Sequence, residues 1–470
     1  MNRGLACVSE PRPVAFPQHT GIETAVVLFN RDLRVHDHPA LTAAAKAERT
    51  VPLFVFDERL LGSRFAAANR VAFMLEALRD LDQELRRRGA RLYIRHGDPV
   101  REAIAVAREC GATALHVSAD WSAFARAREE RLARACEEER VEFVAHPGVT
   151  VVPPGVVTPG GGDHFKVFSP FHRAWAGVPW RQQHGAPRKL KAPAKLKVGR
   201  LPTLESLVGG SISPHRQPGG EDEGRRLMRA FLRDGIGEYE QRHDDLPGDA
   251  TSRLSAHLRW GCVSPLELAR EAGERRGGAA FVRQLCWRDF HHQVLAATPS
   301  LPRRDYRPRR DRWSRSRRAL EAWREGRTGY PLVDAAMRQL AEEGFMHNRA
   351  RMTVASFLCK DLYIDWREGA WHFWDLLSDG EIANNAGNWQ WVAGTGNDTR
   401  PNRVLNPLRQ AQRFDPESTY VRRYLPELES LQGREILRPW LAKGFKRLDY
   451  PEPVVDHDEA AAAFRAHRGA

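Results

Sequence analysis

VPLFVFDERLLGSRFAAANRVAFMLEALRDLDQELRRRGARLYIR, residues 51–95, is the stretch on which the fold of the first part of the chain turns. VPLFVF (51–56) and RLYIR (91–95) are short apolar runs bounded by charged or turn residues, the texture of buried strands. Between them, over 69–88, Val71, Met74, Leu75, Leu78, Leu81 and Leu85 recur at helical spacing, and Gly89 follows as a stop. A strand, a helix and a strand in this span call for a right-handed crossover between parallel strands. The pattern extends outward through TAVVLF (24–29), ALHV (114–117) and EFVAH (142–146). A doubly wound α/β sheet is therefore expected over 22–147. The first strand is followed by FNRDLRVHDHPAL rather than GxGxxG, so the fold alone assigns no dinucleotide to this domain.

Beyond this domain the texture changes. Residues 148–220 are rich in Pro, Gly and Lys, as in VVPPGVVTPGGGDH (151–164) and APRKLKAPAKLKVGRLP (186–202), and read as a long connector. One piece of it, FKVFSPFHRAW (165–175), is aromatic enough to pack as a short helix or pinned loop. Over 221–470 the periodicity is helical almost throughout, which predicts an all-α domain. There, Pro331 after Gly329 and Tyr330 opens a helix with Val333, Ala336, Met337 and Leu340 on one face, and Gly344 ends it.

A chain of 470 residues exceeds what one hydrophobic core supports, so two or three domains are expected. Its net charge of +13 favours a polyanionic partner such as nucleic acid over a general bias of composition. The six cysteines are isolated and form no metal-binding spacing, as in a reduced cytoplasmic protein. No apolar run reaches membrane-spanning length, and 1–21 reads as a disordered tail without a signal-peptide core.

Candidate chemistry gathers in the helical domain. TSRLS (251–255) offers hydroxyls and an Arg at the start of a helix over 255–260, suited to phosphate, although Ser or Thr there is more often a plain N-cap. On the helix in FVRQLCWRDFHHQVL (281–295), Gln284, Trp287 and Arg288 share a face, either as an amide, a stacking plane and a cation or as ordinary packing. In MHNRARMTVASFLCKDLYIDW (346–366), Asn348, Arg351, Met352 and Ala355 fall on one stripe of a central helix, with Arg349 at its edge. Arg351 needs a carboxylate there, and Asp379 is the candidate. The Gly- and Asn-rich loop SDGEIANNAGNWQWVAGTGNDTRPN (378–402) offers Asp379, Glu381 and Asn385 to ring or ribose edges. A turn-rich loop alone would account for its Gly and Asn, but not for Trp389 and Trp391.

WRDF (287–290), TGYPLVDAAMRQL (328–340), MHNRARM (346–352), DWREG (365–369), DGEIANN (379–385) and NWQW (388–391), in this order, resemble the photolyase/cryptochrome family, specifically its class I cyclobutane pyrimidine dimer photolyases. The resemblance runs from about Thr24 to about Leu428. It implies an α/β domain, a connector and a helical domain holding FAD, with light-driven splitting of pyrimidine dimers in DNA. Carried over by motif, Tyr239, Thr251, Ser252, Arg253, Leu254, Ser255, Arg288, Asp379, Gly380 and Glu381 would line the FAD, with Asn385 facing flavin N5. Trp389, Trp366 and Trp313 would pass electrons inward from the surface. Trp371 and Trp374 are left as core. Trp287 and Trp391 would stack on a flipped-out dimer, Met352 would pack on it, and Gln284 and Asn348 would bond its base edges. Arg349, Arg403 and Gln410 would hold phosphates.

Three departures from the family wording stand out. Gln284 replaces a more usual Glu, Glu381 replaces Asp, and Ala250 precedes the TSRLS motif in place of Gly. An antenna chromophore is common in the family. Ala125 and Arg126 stand at positions that bind folate in some members, whereas FARARE (124–129) points to 8-hydroxy-5-deazaflavin ahead of methenyltetrahydrofolate. The expected protein is a monomer acting on DNA. The rival expectation is a cryptochrome-like photoreceptor without repair activity, disfavoured by retention of Trp287, Trp391, Met352 and Asn348.

Overall fold

The structure is a computed structural model that describes residues 23–469, so the expected tail at 1–21 and Cys7 lie outside the described residues. Five strands, β1 (Thr24–Phe29), β2 (Arg49–Phe56), β3 (Tyr93–His96), β4 (Ala114–Ser118) and β5 (Glu142–His146), form one parallel sheet in the order β3-β2-β1-β4-β5. Val26 of β1 lies between Val51 of β2 and Leu115 of β4, and every β1 side chain is buried. Burial on both faces is why the strand is continuously apolar rather than alternating. Strand order reverses between β1 and β4, and the crevice at their carboxyl ends is where such sheets bind ligands. Arg31 and Asp120 follow the two strands and form an ion pair of 2.7 Å across it.

The long crossover helix spans Ala68–Arg87 and buries Val71, Met74, Leu75, Leu78, Leu81 and Leu85. Gly89 has φ +91°, and a Cβ there would sit 2.7 Å from the Leu190 carbonyl oxygen, so the stop read in the sequence is also a packing requirement.

The connector is stitched down along its length. Leu190 N donates to Arg88 O at 2.7 Å, Thr50 N to Lys191 O at 2.8 Å and Ile94 N to Val198 O at 2.6 Å, which ties it to the α/β domain. Its aromatic piece forms the helix Phe168–Gly177, burying Phe168, Phe171 and Trp175. Buried Asp289 accepts from Val152 N and Trp175 Nε1, both at 2.9 Å, and so hooks the connector onto the helical domain.

From residue 221 onward the described residues contain helices and no strand, only a lone bridge between Ser314 and Ile364. Pro331–Glu343 is helical as the sequence predicts, and Gly344 ends it at φ +58°. The stretch 346–366 comprises the helix Asn348–Ser356, which carries the expected stripe, a π-helical turn Phe357–Asp361 and an irregular link before the helix Trp366–Leu376. One expectation is corrected. The stretch 378–402 is not mainly loop, because Ile382–Ala393 is a helix capped by the Glu381 side chain and closed by Gly394 at φ +77°. Gly387 within it serves close packing rather than a turn. A Cβ on Gly387 would come within 2.2 Å of His291 Nδ1 on the helix Gly278–Ala297.

Candidate functional site

Two carboxylates with different tasks, Asp379 and Glu381, precede the helix Ile382–Ala393. Asp379 takes Arg351 through both guanidinium Nη atoms, at 3.2 and 2.8 Å, the pairing the sequence predicts. Glu381 is buried and receives four donors. Arg31 Nη1 at 2.8 Å and His292 Nε2 at 3.0 Å reach one oxygen, while Asn384 reaches the other through its backbone N at 3.1 Å and its side-chain Nδ2. Burial alone would push the Glu381 carboxyl up, but His292 and Arg31 overcome it and hold it well below the usual carboxylate range. This carboxylate is thus committed to protein donors and supports the loop, rather than standing free for a ring edge as the sequence reading expects. The sequence gives no sign of Arg31 or His292 as partners, since both lie in segments far along the chain. Glu381 in place of Asp has the longer reach that this four-donor arrangement uses.

Around these carboxylates lies a buried group of guanidiniums. Burial lowers the pKa of Arg70 to about 9 and that of Arg259 to about 10, and it also lowers that of Arg288. Arg259 Nε holds the Gly380 carbonyl at 2.9 Å, and Arg288 Nη1 holds Val149 O at 2.6 Å. Arg259 Nη1, Thr251 Oγ1 and Ser378 Oγ are buried without a protein partner. Hydroxyl and guanidinium donors left unsatisfied inside a protein are the donor set that a phosphorylated, ribose-bearing ligand satisfies.

Thr251, Ser252 and Arg253 line a cavity of about 350 Å³ with Leu227, Phe231 and Asp249. Arg253 is ion-paired there with Asp249 at 2.8 Å and with Glu343, and stacks on Phe345. Leu254 is buried and Ser255 exposed at the start of the six-residue helix Ser255–Trp260. Tyr239 packs on Phe231 and Phe281, and burial pushes its phenol up to about 12. Asn385 Nδ2 donates to Ala370 O at 3.0 Å, which leaves its carbonyl oxygen as the free end of the amide.

The tryptophans separate by setting. Trp389 and Trp366 are 3% and 0% exposed, and Trp313 is half-buried. A Cβ on Gly369 would meet the Trp389 ring at 2.2 Å, so Trp389 lies against the first turn of the helix that Trp366 opens. The bridge between Ser314 and Ile364 sets Trp313 beside the residues that precede Trp366. Trp366 Nε1 donates to Asp305 at 2.9 Å, and Arg367 lies over its ring. Trp374 is buried as expected, whereas Trp371 is half-buried beneath Arg64.

Trp287 stacks on Phe168 of the connector, with centroids 3.6 Å apart and planes 5° from parallel, so one ring face is already covered. Gln284 and Asn348 are exposed and Met352 is half-buried. Arg403 lies over Trp391 at 5.3 Å, and Lys360 Nζ fixes that loop by donating to Pro401 O at 3.1 Å and Arg403 O at 2.6 Å. Gln410 keeps an unpartnered buried Oε1. Arg349, expected to hold phosphate, is instead held by Asp244 at 3.2 and 2.6 Å and stacks on Phe414. On the α/β side a second cavity, of about 260 Å³, is lined by Trp121, Arg126, His164 and Gln293 among others. Ala125 is buried and does not line it.

Residues 25–193 match the family described as DNA photolyase, and residues 281–469 match the FAD binding domain of DNA photolyase. Over 455 residues, 95% of this chain and 100% of the relative, the sequence is 51% identical to a deoxyribodipyrimidine photo-lyase of Streptomyces griseus. The structure superimposes on a bacterial class III photolyase from Agrobacterium tumefaciens with a TM-score of 0.88 at 30% identity, covering 97% of this chain and 99% of that one. An archaeal photolyase from Sulfolobus tokodaii, solved with two FAD molecules, gives a TM-score of 0.85 at 30% identity over 95% of this chain and 99% of its own.

Proposed function

The chain belongs to the DNA photolyase family, and from that premise we propose that it is a deoxyribodipyrimidine photo-lyase, repairing cyclobutane pyrimidine dimers in DNA with light and FAD. The observation that carries this reading is the set of buried donors without protein partners, Arg259 Nη1 and Thr251 Oγ1 among them. Trp287, Trp391, Met352, Asn348 and Gln284 would make up the face that receives the dimer, with Arg403 lying over Trp391. When bound, fully reduced FAD supplies an electron under light and recovers it once the cyclobutane ring has opened.

The protein's part is to bind, orient and insulate. Thr251 and Ser252 give hydroxyls, and Arg259 and Arg288 buried cations, for the pyrophosphate and ribose. Asp379, fixed by Arg351, would accept from the imide edge of the flavin, and the free carbonyl oxygen of Asn385 would suit a ring N–H such as that at N5. Trp389, Trp366 and Trp313 serve as the inward electron path. Trp391 and the open face of Trp287 stack on the flipped dimer, a contact worth about 1–3 kcal/mol per base. Domain limits of 22–147, 148–220 and 221–470 follow from this reading, with the enzyme acting as a cytoplasmic monomer. The cavity beside Trp121 and Arg126 would take the antenna chromophore, 8-hydroxy-5-deazaflavin ahead of methenyltetrahydrofolate.

Illumination of the reduced, FAD-loaded protein with dimer-containing single-stranded DNA should restore intact pyrimidines, and dark incubation should not. Persistence of the dimers in light, with reduced FAD bound, would overturn the assignment and favour a photoreceptor. The absorption spectrum of the purified protein tests the antenna.

A further inference from the structure

We infer that Tyr363 is the terminal electron donor of the tryptophan path, giving one electron to oxidised Trp313 while its phenolic proton passes to Asp311. This rests on the reading of Trp389, Trp366 and Trp313 as that path. The residue belongs to the segment KDLYIDW (360–366), whose Tyr no role above employs. Its ring centroid lies 5.1 Å from that of Trp313, with the planes at 46°. Ser314 N donates to Tyr363 O at 2.7 Å, so the backbones of the two aromatic segments are fixed to each other.

Tyr363 also adopts φ +52°, a left-handed conformation that costs a bulky residue about 1–3 kcal/mol and persists only where the surroundings impose it. What is imposed is a phenol aimed at one acceptor. Its hydroxyl donates to Asp311 Oδ1 at 3.0 Å. The Asp311 side chain is 2% exposed and held by Arg468, through Nε at 2.7 Å and Nη2 at 2.8 Å. His467 and Phe464 of the helix His457–Arg468 pack on the tyrosine ring. Burial and then the Asp311 charge push the phenol pKa up, so the ground-state ring is un-ionised and must lose its proton together with an electron.

The step balances without any further reagent. The Trp313 radical cation gains one electron and becomes neutral tryptophan. Tyr363 loses that electron and its phenolic proton and becomes a neutral phenoxyl radical, and the Asp311 carboxylate becomes a carboxylic acid. The positive charge thereby leaves the path, and with it the partner for charge recombination. Tyr363 is half-buried, so the radical is open to reductants in solution.

The experiment is a flash applied to the protein loaded with oxidised FAD, with no external reductant, read by time-resolved absorption and electron paramagnetic resonance. A tryptophan radical should form and give way to a tyrosyl radical, more slowly in D₂O. In Tyr363→Phe the tyrosyl signal should be absent and the tryptophan radical should persist until recombination, with FAD content unchanged. Asp311→Asn should slow the transfer by about 100-fold, the scale of a lost general base. A tryptophan radical with no tyrosyl successor, or identical kinetics in the native protein and Tyr363→Phe, would overturn the proposal and leave the path standing. Absence of any tryptophan radical would remove the path and the proposal together.

Discussion

In the parallel sheet, all six residues of β1 are buried, and the side chains from Ala25 to Phe29 pack in apolar clusters where other apolar residues would serve. In the segment from Asp379 to Trp391, one buried carboxylate gathers donors from its own helix through Asn384, from a neighbouring helix through His292 and from the α/β domain through Arg31. Both regions are dry and close-packed, yet they fail differently. A shortened apolar side chain leaves a cavity whose cost is local. A deleted carboxylate leaves buried cations unpaired and releases the loop that they hold.

The largest effect should therefore come from Glu381→Ala set against Leu28→Ala. Both lose stability, about 3–5 kcal/mol for the broken ion pair and about 2–5 kcal/mol for the sheet cavity. Bound FAD separates them. Glu381→Ala should purify largely without FAD, whereas folded Leu28→Ala should keep it. Equal FAD content in the two would erase the distinction drawn here.

Acid sharpens the comparison. Burial lowers His257, His291, His347 and His372 of the helical domain to about 4, against His146, also to about 4, and His116 in the sheet. A histidine kept neutral by folding contributes stability that is present above its unfolded pKa, near 6.5, and is lost as pH falls towards 4. Glu381 has the same sign at lower pH, its contribution being present above its unfolded pKa, near 4.5, and lost only as pH falls through its depressed folded value. Each such histidine costs roughly 1–2 kcal/mol by pH 5. Hydrogen exchange at pH 5 should show the helical domain opening before the sheet, and the reverse order would contradict the assignment of these buried rings.

Smaller effects probe the site alone. Trp366→Phe should slow photoreduction of oxidised FAD while leaving repair by pre-reduced enzyme nearly unchanged, because repair needs no electron from the surface. Gln284→Glu should raise the yield of dimer splitting per photon modestly by supplying a proton donor at the exposed rim, read as dimers repaired per photon absorbed.

The same contrast accounts for what was legible in the sequence. All five strands and the Ala68–Arg87 crossover follow from local apolar periodicity, to within about two residues, although β5, expected to be buried, lies at the sheet edge with no fully buried side chain. The Asp379–Arg351 pair is legible because a guanidinium on a central helix needs a carboxylate. The Ile382–Ala393 helix is not, since Gly387 and its Asn neighbours carry turn propensity that close packing against His291 overrides. Arg349 is misread as free for phosphate because nothing near it in sequence announces Asp244. The cover that Phe168 provides for Trp287, and the Arg31 donor on Glu381, are contacts over more than a hundred residues, and no local pattern encodes them.

The most direct test of the account is an anaerobic single flash on the reduced, FAD-loaded protein with a thymine-dimer oligonucleotide, following the return of thymine absorbance. Absorbance should recover after each flash with bound substrate and not in the dark. Excitation of the reduced cofactor without any recovery, while the oligonucleotide remains bound, would contradict it.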